Sequence, residues 1–429
     1  MHLVRFSFSA LVLVGLSGLG GAHESPKGVT LQAADDLFRH GQFADAEALY
    51  SQLATGKTAD SLVALRLGSI ALYQNRLDVA EVRLKQVLRL KPDDREAKRL
   101  LAEVYYRRDD FAKAAPLFRT SGNEVLAKKL EGFKDARPYL IESQAEVTHV
   151  WFLQTDPLPL IEVKVNGEPL NFLIDTGASE VYLDPAVVKK LAVRQFGTTQ
   201  GEFAGGKSAQ TGHGRIDSLT LGDFVVRNVP VLILSTKRFA AMAQGRSVGG
   251  ILGTAILFRF IAALDYPRGE LVLRRKTRGQ LKQVEEQTKA HRGIVMPFWM
   301  AGDHFLVAWG KVEKSPPLLF FVDTGLAGGG FICPSSTLKD AAIATPVGPA
   351  MEGQGGGGKL KLVPFMVDEL SLGEVKGRQI QAFAGVFPPG LEYSLGFRIA
   401  GIISHQFFRP YSLTFDFQEM RLLVTPGQR

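Results

Sequence analysis

Two aspartates stand where an acid is costly. Asp175, in the run Phe172-Leu173-Ile174-Asp175-Thr176-Gly177-Ala178, and Asp323, in Phe320-Phe321-Val322-Asp323-Thr324-Gly325-Leu326, each end a bulky apolar stretch that reads as a buried strand. An ionised carboxylate in such a place costs several kcal/mol or more unless it is paired, hydrogen-bonded or protonated. Both residues are therefore candidates for acid–base chemistry, although a lone Asp-Thr-Gly is also ordinary turn composition. Other chemistries find little support. The 8 histidines are scattered and Cys333 is the single cysteine, so no metal-ligand cluster and no cofactor are expected. Ser404 and His405 are adjacent in the chain and do not face each other, and no Gly-x-Ser-x-Gly elbow occurs. His213 reads as a solvated polar residue, and Asp265 and Asp416 as turn-stabilising acids at strand ends.

The two aspartates head two copies of one pattern. A Leu-x-Leu-Gly element places Gly222 and Gly373 at 47 and 50 residues after their respective aspartates. An apolar-Gly-Ile element then places Gly250 and Gly401 at 75 and 78, and Asp265 and Asp416 follow at 90 and 93. The offset of three residues enters once and persists, which predicts a duplicated fold with one small insertion.

The elements that position these copies can be read along the chain. Its 429 residues suggest about three domains, and the composition is that of a globular protein. The net charge of +8 is modest; its densest cluster, Arg274 to Arg278, reads as a solvated linker, and nucleic-acid binding is not expected. Residues 1–22 carry Arg5, an apolar run from Leu11 to Leu19 and a small-residue end at Gly20-Gly21-Ala22, the pattern of a secretory signal peptide cut after Ala22. The run is short for a spanning helix, so no membrane span is expected after cleavage. With no possible internal disulfide and no Asn-x-Ser/Thr site, the sequence fits a bacterial envelope protein, periplasmic first and extracellular second.

From Leu31 to Asn123 the pattern is helical with a fixed step of 34 residues. Ala46 with Tyr50, Ala80 with Leu84 and Ala114 with Phe118 recur at that step, as do the turn positions Gly41, Asn75 and Asp109. This region resembles tetratricopeptide repeats, about three of them, which implies a concave surface for a protein partner; bracing the rest of the chain is the alternative. The expected organisation is helical repeats over 23–130, a linker over 131–149, and all-β lobes over 150–280 and 281–429. Within the lobes, Asn166-Gly167 predicts a type I′ hairpin leading into Asp175, and Asp184-Pro185 opens a short helix. The glycine-spaced segments around Gly205 and Gly206, and around Gly355 and Gly356, lie outside any phosphate-loop context and read as mobile hairpins.

Together these residues make the C-terminal two thirds resemble aspartic proteases of the retropepsin and pepsin group. The matching positions are Leu173 to Ala178, Phe321 to Gly325, and the run ending at Gly253. The resemblance implies a two-lobed, double-barrel fold in one chain, with an active site that needs no dimer. It implies that Asp175 and Asp323 meet at the floor of a cleft and cut a protein or peptide substrate. Two carboxylates about 3 Å apart cannot both ionise, so they share a proton and supply a general base and a general acid at once. Thr176 and Thr324 would lock the two turns, Gly177 and Gly325 would admit backbone beside the carboxylates, and Ala178 points to the retropepsin side of the group. The glycine-rich hairpins would be flaps. Departures gather in the second copy: Leu326 stands where Ala178 stands, Gly328 to Gly330 follow, and Ser404 replaces the glycine at 253. Ala255 and Gln406 occupy positions where Asp or Asn is usual. A drifted second lobe in a non-catalytic peptide-binding scaffold therefore stays open as the alternative, and a helical array that covers the cleft as a third.

Overall fold

The computed structural model describes residues 28–55, 60–203, 207–355, 358–385, 392 and 395–427. The expected signal peptide, residues 1–22, lies outside them.

Among the described residues seven helices come first: α1 (Leu31–Arg39), α2 (Phe43–Leu53), α3 (Ser61–Tyr73), α4 (Leu77–Leu90), α5 (Arg95–Arg107), α6 (Phe111–Thr120) and α7 (Glu124–Glu131). The 34-residue step has a physical cause. Ala46, Ala80 and Ala114 are fully buried where paired helices touch. The turn residues Gly41, Asn75 and Asp109 take φ of 76°, 54° and 60°, left-handed values that glycine and short polar residues tolerate best. Side chains of Asp60, Asp94, Asp110 and Asn123 accept hydrogen bonds from the first backbone N–H groups of the helices they precede.

Among the described residues the β region has two sheets of 14 and 8 strands. In the first lobe, strands Leu160–Val165 and Glu168–Ile174 form the hairpin expected at Asn166-Gly167, with φ of 49° and 88° there. Glu168–Ile174 then runs parallel to Gly250–Leu252, which in turn pairs antiparallel with Val181–Leu183. The second lobe repeats this: Leu318–Asp323 runs parallel to Gly401–Ser404, which pairs antiparallel with Phe331–Cys333. The repeated glycine is required by the crossing strand. A Cβ on Gly250 would lie 2.3 Å from the Tyr182 carbonyl oxygen, and one on Gly401 would lie 2.7 Å from that of Ile332.

The lobes are joined by a sheet rather than by a tether. Strands Ile294–Pro297, Arg421–Pro426, Tyr411–Asp416, Ile261–Asp265, Glu270–Arg274 and Val147–Gln154 pair in that order, so strands from both copies interleave. Asp265 accepts from the Arg268 N–H at 3.1 Å, and Asp416 accepts from Gln418 N–H at 3.0 Å and pairs with Arg421 at 2.8 Å.

Several expectations need correction. The stretch 131–149 is not a free linker: the first strand, Leu140–Glu142, pairs with Phe224–Ile233, and the next one starts at Val147. The boundary expected at 280/281 falls inside a helix, Arg278–Ala290, whose Val284 packs on Ile261 and Leu423. Nor is the basic cluster before it a solvated linker. Arg274 ends a sheet strand, and Lys276 lies over the Phe258 ring at 4.2 Å, where burial brings its ammonium down to about 7.

The helical array packs on both lobes. Phe38, Phe43 and Tyr73 from α1 to α3 form an aromatic cluster with Trp299 and Phe397 of the second lobe, with Phe43 5.0 Å from the Phe397 ring and 5.5 Å from that of Trp299. Helices α5 to α7 share one continuous apolar core with the first lobe. The hairpin that fills this junction is formed by strands Trp299–Ala301 and Phe305–Val312, and Arg107 of α5 holds its tip through the carbonyls of Met300 and Gly302 at 2.9 and 2.8 Å.

Candidate active site

Each Asp-Thr-Gly turn leaves the end of its parallel strand pair, and the two turns meet. The Asp175 N–H donates to the Leu252 carbonyl at 3.1 Å, which fixes the start of the first turn on the neighbouring strand. The threonines then bind the turns to each other. Thr176 N–H donates to Thr324 Oγ1 at 3.0 Å, Thr324 N–H donates to Thr176 Oγ1 at 3.0 Å, and Thr176 Oγ1 donates to the Val322 carbonyl at 2.9 Å. All these groups are buried, so the exchange satisfies backbone donors that water cannot reach.

Glycine follows because the opposite acid sits against it. A Cβ on Gly177 would lie 2.5 Å from Asp323 Oδ2, and one on Gly325 would lie 2.1 Å from Asp175 Cγ. Each carboxylate accepts from the glycine of its own turn, Asp175 Oδ1 from Gly177 N–H at 2.7 Å and Asp323 Oδ1 from Gly325 N–H at 2.8 Å. The two carboxyl groups are thus close enough to act on each other's titration.

Their electrostatics follow from this geometry. Both side chains retain some accessible surface but are ringed by protein, as expected at the floor of a cleft. Desolvation, then the charge of Asp323, then its hydrogen bond hold the Asp175 carboxyl well above the usual range. Desolvation also raises Asp323, against the Gly325 N–H, the Asp175 hydrogen bond and nearby His304, which favour its ionised form. The pair therefore holds a proton more tightly than a free carboxylate does, and the titration belongs to the pair.

Support around the turns differs between lobes. Ala178 is buried, and its carbonyl accepts from Thr254 N–H at 2.8 Å while Thr254 Oγ1 donates to the Thr176 carbonyl at 2.9 Å. A Cβ at Gly253 would meet the Glu180 carbonyl oxygen at 2.1 Å. The second lobe tolerates Ser404 at the matching place because the chain through Gly329 and Gly330 takes another path: Ser404 N–H donates to Gly330 O at 3.0 Å and its hydroxyl donates to Gly329 O. Leu326 turns into a small apolar cluster with Ile332, Leu362 and Phe383. Of the candidate flap residues, Gly205, Gly206 and Gly356 lie outside the described residues. Gly355 pairs with Gly358 near the end of the hairpin Met351–Gly355 and Gly358–Leu372.

Three further expectations meet the structure here. His213 is buried rather than solvated; its Nε2 lies 2.7 Å from Thr199 Oγ1, and desolvation, with Lys129 adding to it, lowers the imidazole to about 3. His405 is buried with Nδ1 3.2 Å from the Leu326 carbonyl and does not engage Ser404. Cys333 is buried, and burial pushes its thiol up to about 12. Among the described residues no group of three or more His, Cys, Asp or Glu could hold a metal.

The sequence reading missed the residues just beyond the first turn. Glu180 is buried, and both of its carboxylate oxygens accept from Lys129 Nζ of α7 at 2.7 Å; one also accepts from Tyr106 of α5 at 2.9 Å. A lysine on the apolar stripe of α7 was the one available signal, and it named no partner.

Comparisons with known proteins follow the same division. Residues 161–256 match a family model described as aspartyl protease, and residues 65–121 match one described as tetratricopeptide repeat. A crystal structure of a retropepsin-like aspartic protease from Rickettsia conorii is similar at 19% identity, over 32% of this chain and 94% of that one, with a TM-score of 0.23. No curated protein matches the chain. Asp323 lies beyond the matched residues, so the second lobe is related to the first by its own repeated strands and turn. The chain therefore joins a tetratricopeptide repeat segment to a β domain that carries the aspartyl protease family match.

Proposed function

We propose that the protein is an aspartic endopeptidase whose dyad is Asp175 and Asp323. The observation that carries this reading is proximity: each carboxylate lies against the glycine of the opposite turn, close enough for the two acids to raise each other's proton affinity. A purely structural second turn gains nothing from a buried acid, since asparagine could form it without the charge. The ionised member of the pair takes a proton from the attacking water while the protonated member donates to the carbonyl oxygen of the peptide bond. The resulting tetrahedral intermediate is not covalently attached to the protein. The two glycine N–H groups hold the carboxylates in the plane needed for both transfers.

Thr176, Thr324, Gly177, Gly325 and Ala178 position the dyad, and the two long hairpins act as flaps that close over an extended peptide. Because the lobes share one chain, a monomer holds the complete site. Export to the periplasm is part of the proposal and rests on residues 1–22 alone; among the described residues no helix is long and apolar enough to cross a membrane.

The test is cleavage of casein by residues 23–429 across acidic to neutral pH, with and without pepstatin. Loss of cleavage in both Asp175→Asn and Asp323→Asn, each still folded, is the expected result. Full activity in Asp323→Asn would return the second lobe to the scaffold reading.

A further inference from the structure

A cavity of about 450 Å³ lies away from the dyad, partly enclosed between the sheet that joins the lobes and the helix Arg278–Ala290. Small-ligand sites commonly measure about 300–1,000 Å³. Its floor is one face of the sheet. Leu264, Leu271 and Leu413 point into the core that also holds Ile174 and Val322, the chain neighbours of Asp175 and Asp323. The residues that alternate with them, Asp265, Glu270, Val272, Ser412 and Thr414, line the cavity, so it opens on the sheet face turned away from that core.

Two opposite charges in this lining are left over. Arg274 is partly buried and, among the described residues, has no hydrogen-bond or ion-pair partner; its Nε and Nη1 are enclosed without one. Desolvation lowers its guanidinium, and only the charge of Glu270 works against that. Nη2 is not enclosed and remains open to a ligand. At the other end Asp265 stands directly opposite Glu270 across the strand pair, and like charges so placed repel. Glu270 is met by His149 at 2.8 Å and by Arg268 at 3.5 Å. Asp265 has only the Arg268 N–H and the Ser412 side chain as partners, and among the described residues it has no ion pair. Arg274 lies four residues beyond Glu270 on the same strand, about 13 Å along the backbone. An unpaired cation and an unpaired acid thus line one cavity without meeting each other.

Between them Val272 and Ala263 give a small apolar floor. The Thr414 hydroxyl and the Gln287 amide also line the cavity, and neither makes a hydrogen bond among the described residues. We infer that the cavity binds a short free peptide, about three residues long, with its carboxylate on Arg274, its ammonium on Asp265 and its backbone over Val272 and Ala263. A single amino acid is too short to reach both charges, whereas three extended residues span about 10 Å and the arginine side chain covers the rest. Thr414 and Gln287 then serve its peptide groups. Since Asp265 belongs to the first lobe and Thr414 to the second, the bound peptide bridges the two. The site is separate from the dyad and independent of the peptidase reading.

The test is isothermal titration calorimetry on residues 23–429 carrying Asp175→Asn, so that the probe is not cut. The probes are the tripeptide Ala-Leu-Ala with both ends free, with its N-terminus acetylated, and with its C-terminus amidated. The expected result is one free tripeptide bound per chain, with each block weakening binding about tenfold or more. Arg274→Gln should weaken the free and acetylated forms alike and leave the amide as it was, while Asp265→Asn should weaken the free and amidated forms and leave the acetylated one. No binding of the free tripeptide, equal affinity for all three forms, or unchanged affinity in Arg274→Gln overturns the inference. Pepstatin added first should leave the tripeptide bound; its displacement would place it in the cleft and overturn the inference too. Casein cleavage decides the peptidase reading separately from all of these outcomes.

Discussion

Replacing Lys129 by methionine tests whether the array is built into the protease lobes. In the native chain Lys129 Nζ donates to both Glu180 oxygens at 2.7 Å, and Tyr106 is the carboxylate's other side-chain partner at 2.9 Å. Lys129→Met leaves a carboxylate that is 7% exposed with one neutral donor and no counter-charge. Removing one partner of a buried pair costs about 3–5 kcal/mol, whereas replacing both by apolar groups is often close to neutral. The double variant Lys129→Met, Glu180→Leu is therefore expected to recover most of the loss, a coupling of about 2–3 kcal/mol. Tyr106 keeps a partner there, since its hydroxyl lies 3.2 Å from that of Tyr139. Equilibrium denaturation followed by tryptophan fluorescence reads this directly, because Trp299 sits in the contact between array and second lobe. A single-variant cost below about 1 kcal/mol, the range of an exposed pair, would refute the claim that this contact is desolvated. So would a double variant that costs the sum of the two singles.

Other consequences are open to equally direct measurement. An Asp whose carboxyl is raised in the folded state binds its proton more tightly there than when unfolded, so stability falls as pH rises from about 4 through the raised value. Asp175→Asn should therefore melt higher than the parent near neutral pH while losing activity, and the gain should vanish below pH ~3 in calorimetry. His213 has the opposite linkage: its folded-state value of about 3 against an ordinary 6.5 costs stability as pH falls between those limits. His213→Gln should flatten that acid decline, by up to about 1.4 kcal/mol per pH unit, in denaturation series. Gly325→Ala puts a methyl 2.1 Å from Asp175 Cγ. A displacement of this order should lower casein cleavage by about 100-fold or more in a protein whose circular dichroism is still native. Cys333, buried with its thiol near 12, should resist alkylation until the chain is unfolded.

What the sequence disclosed was what local chemistry dictates. Apolar runs ending in Asp-Thr-Gly named both strands, and Leu318–Asp323 fell within one residue of its expected end, because a buried strand needs continuous apolar residues and a turn needs glycine. The 34-residue step gave the helical array through the small residues that close helix packing demands. Contacts between distant segments left no such mark. Lys129 and Glu180 look like surface charges until α7 is set beside the first turn, and His213 sits in a glycine-spaced polar run that reads as solvated. The Arg278–Ala290 helix was hidden because its exposed face is strongly polar and only Val284 and Thr288 are buried. The sharing of one sheet between lobes depends on pairing across the duplication, which no single strand announces.

The aromatic contact between Phe38, Phe43, Tyr73, Trp299 and Phe397 carries a consequence for how the chain is made. Three of these rings belong to helices made more than 200 residues before their partners in the second lobe. Throughout synthesis the newborn array shows a sticky face whose natural cover does not yet exist. Folding cannot finish segment by segment, since closing that contact spans most of the chain and such long-range closures are slow. A chain cut short before Trp299 would leave that aromatic face bare.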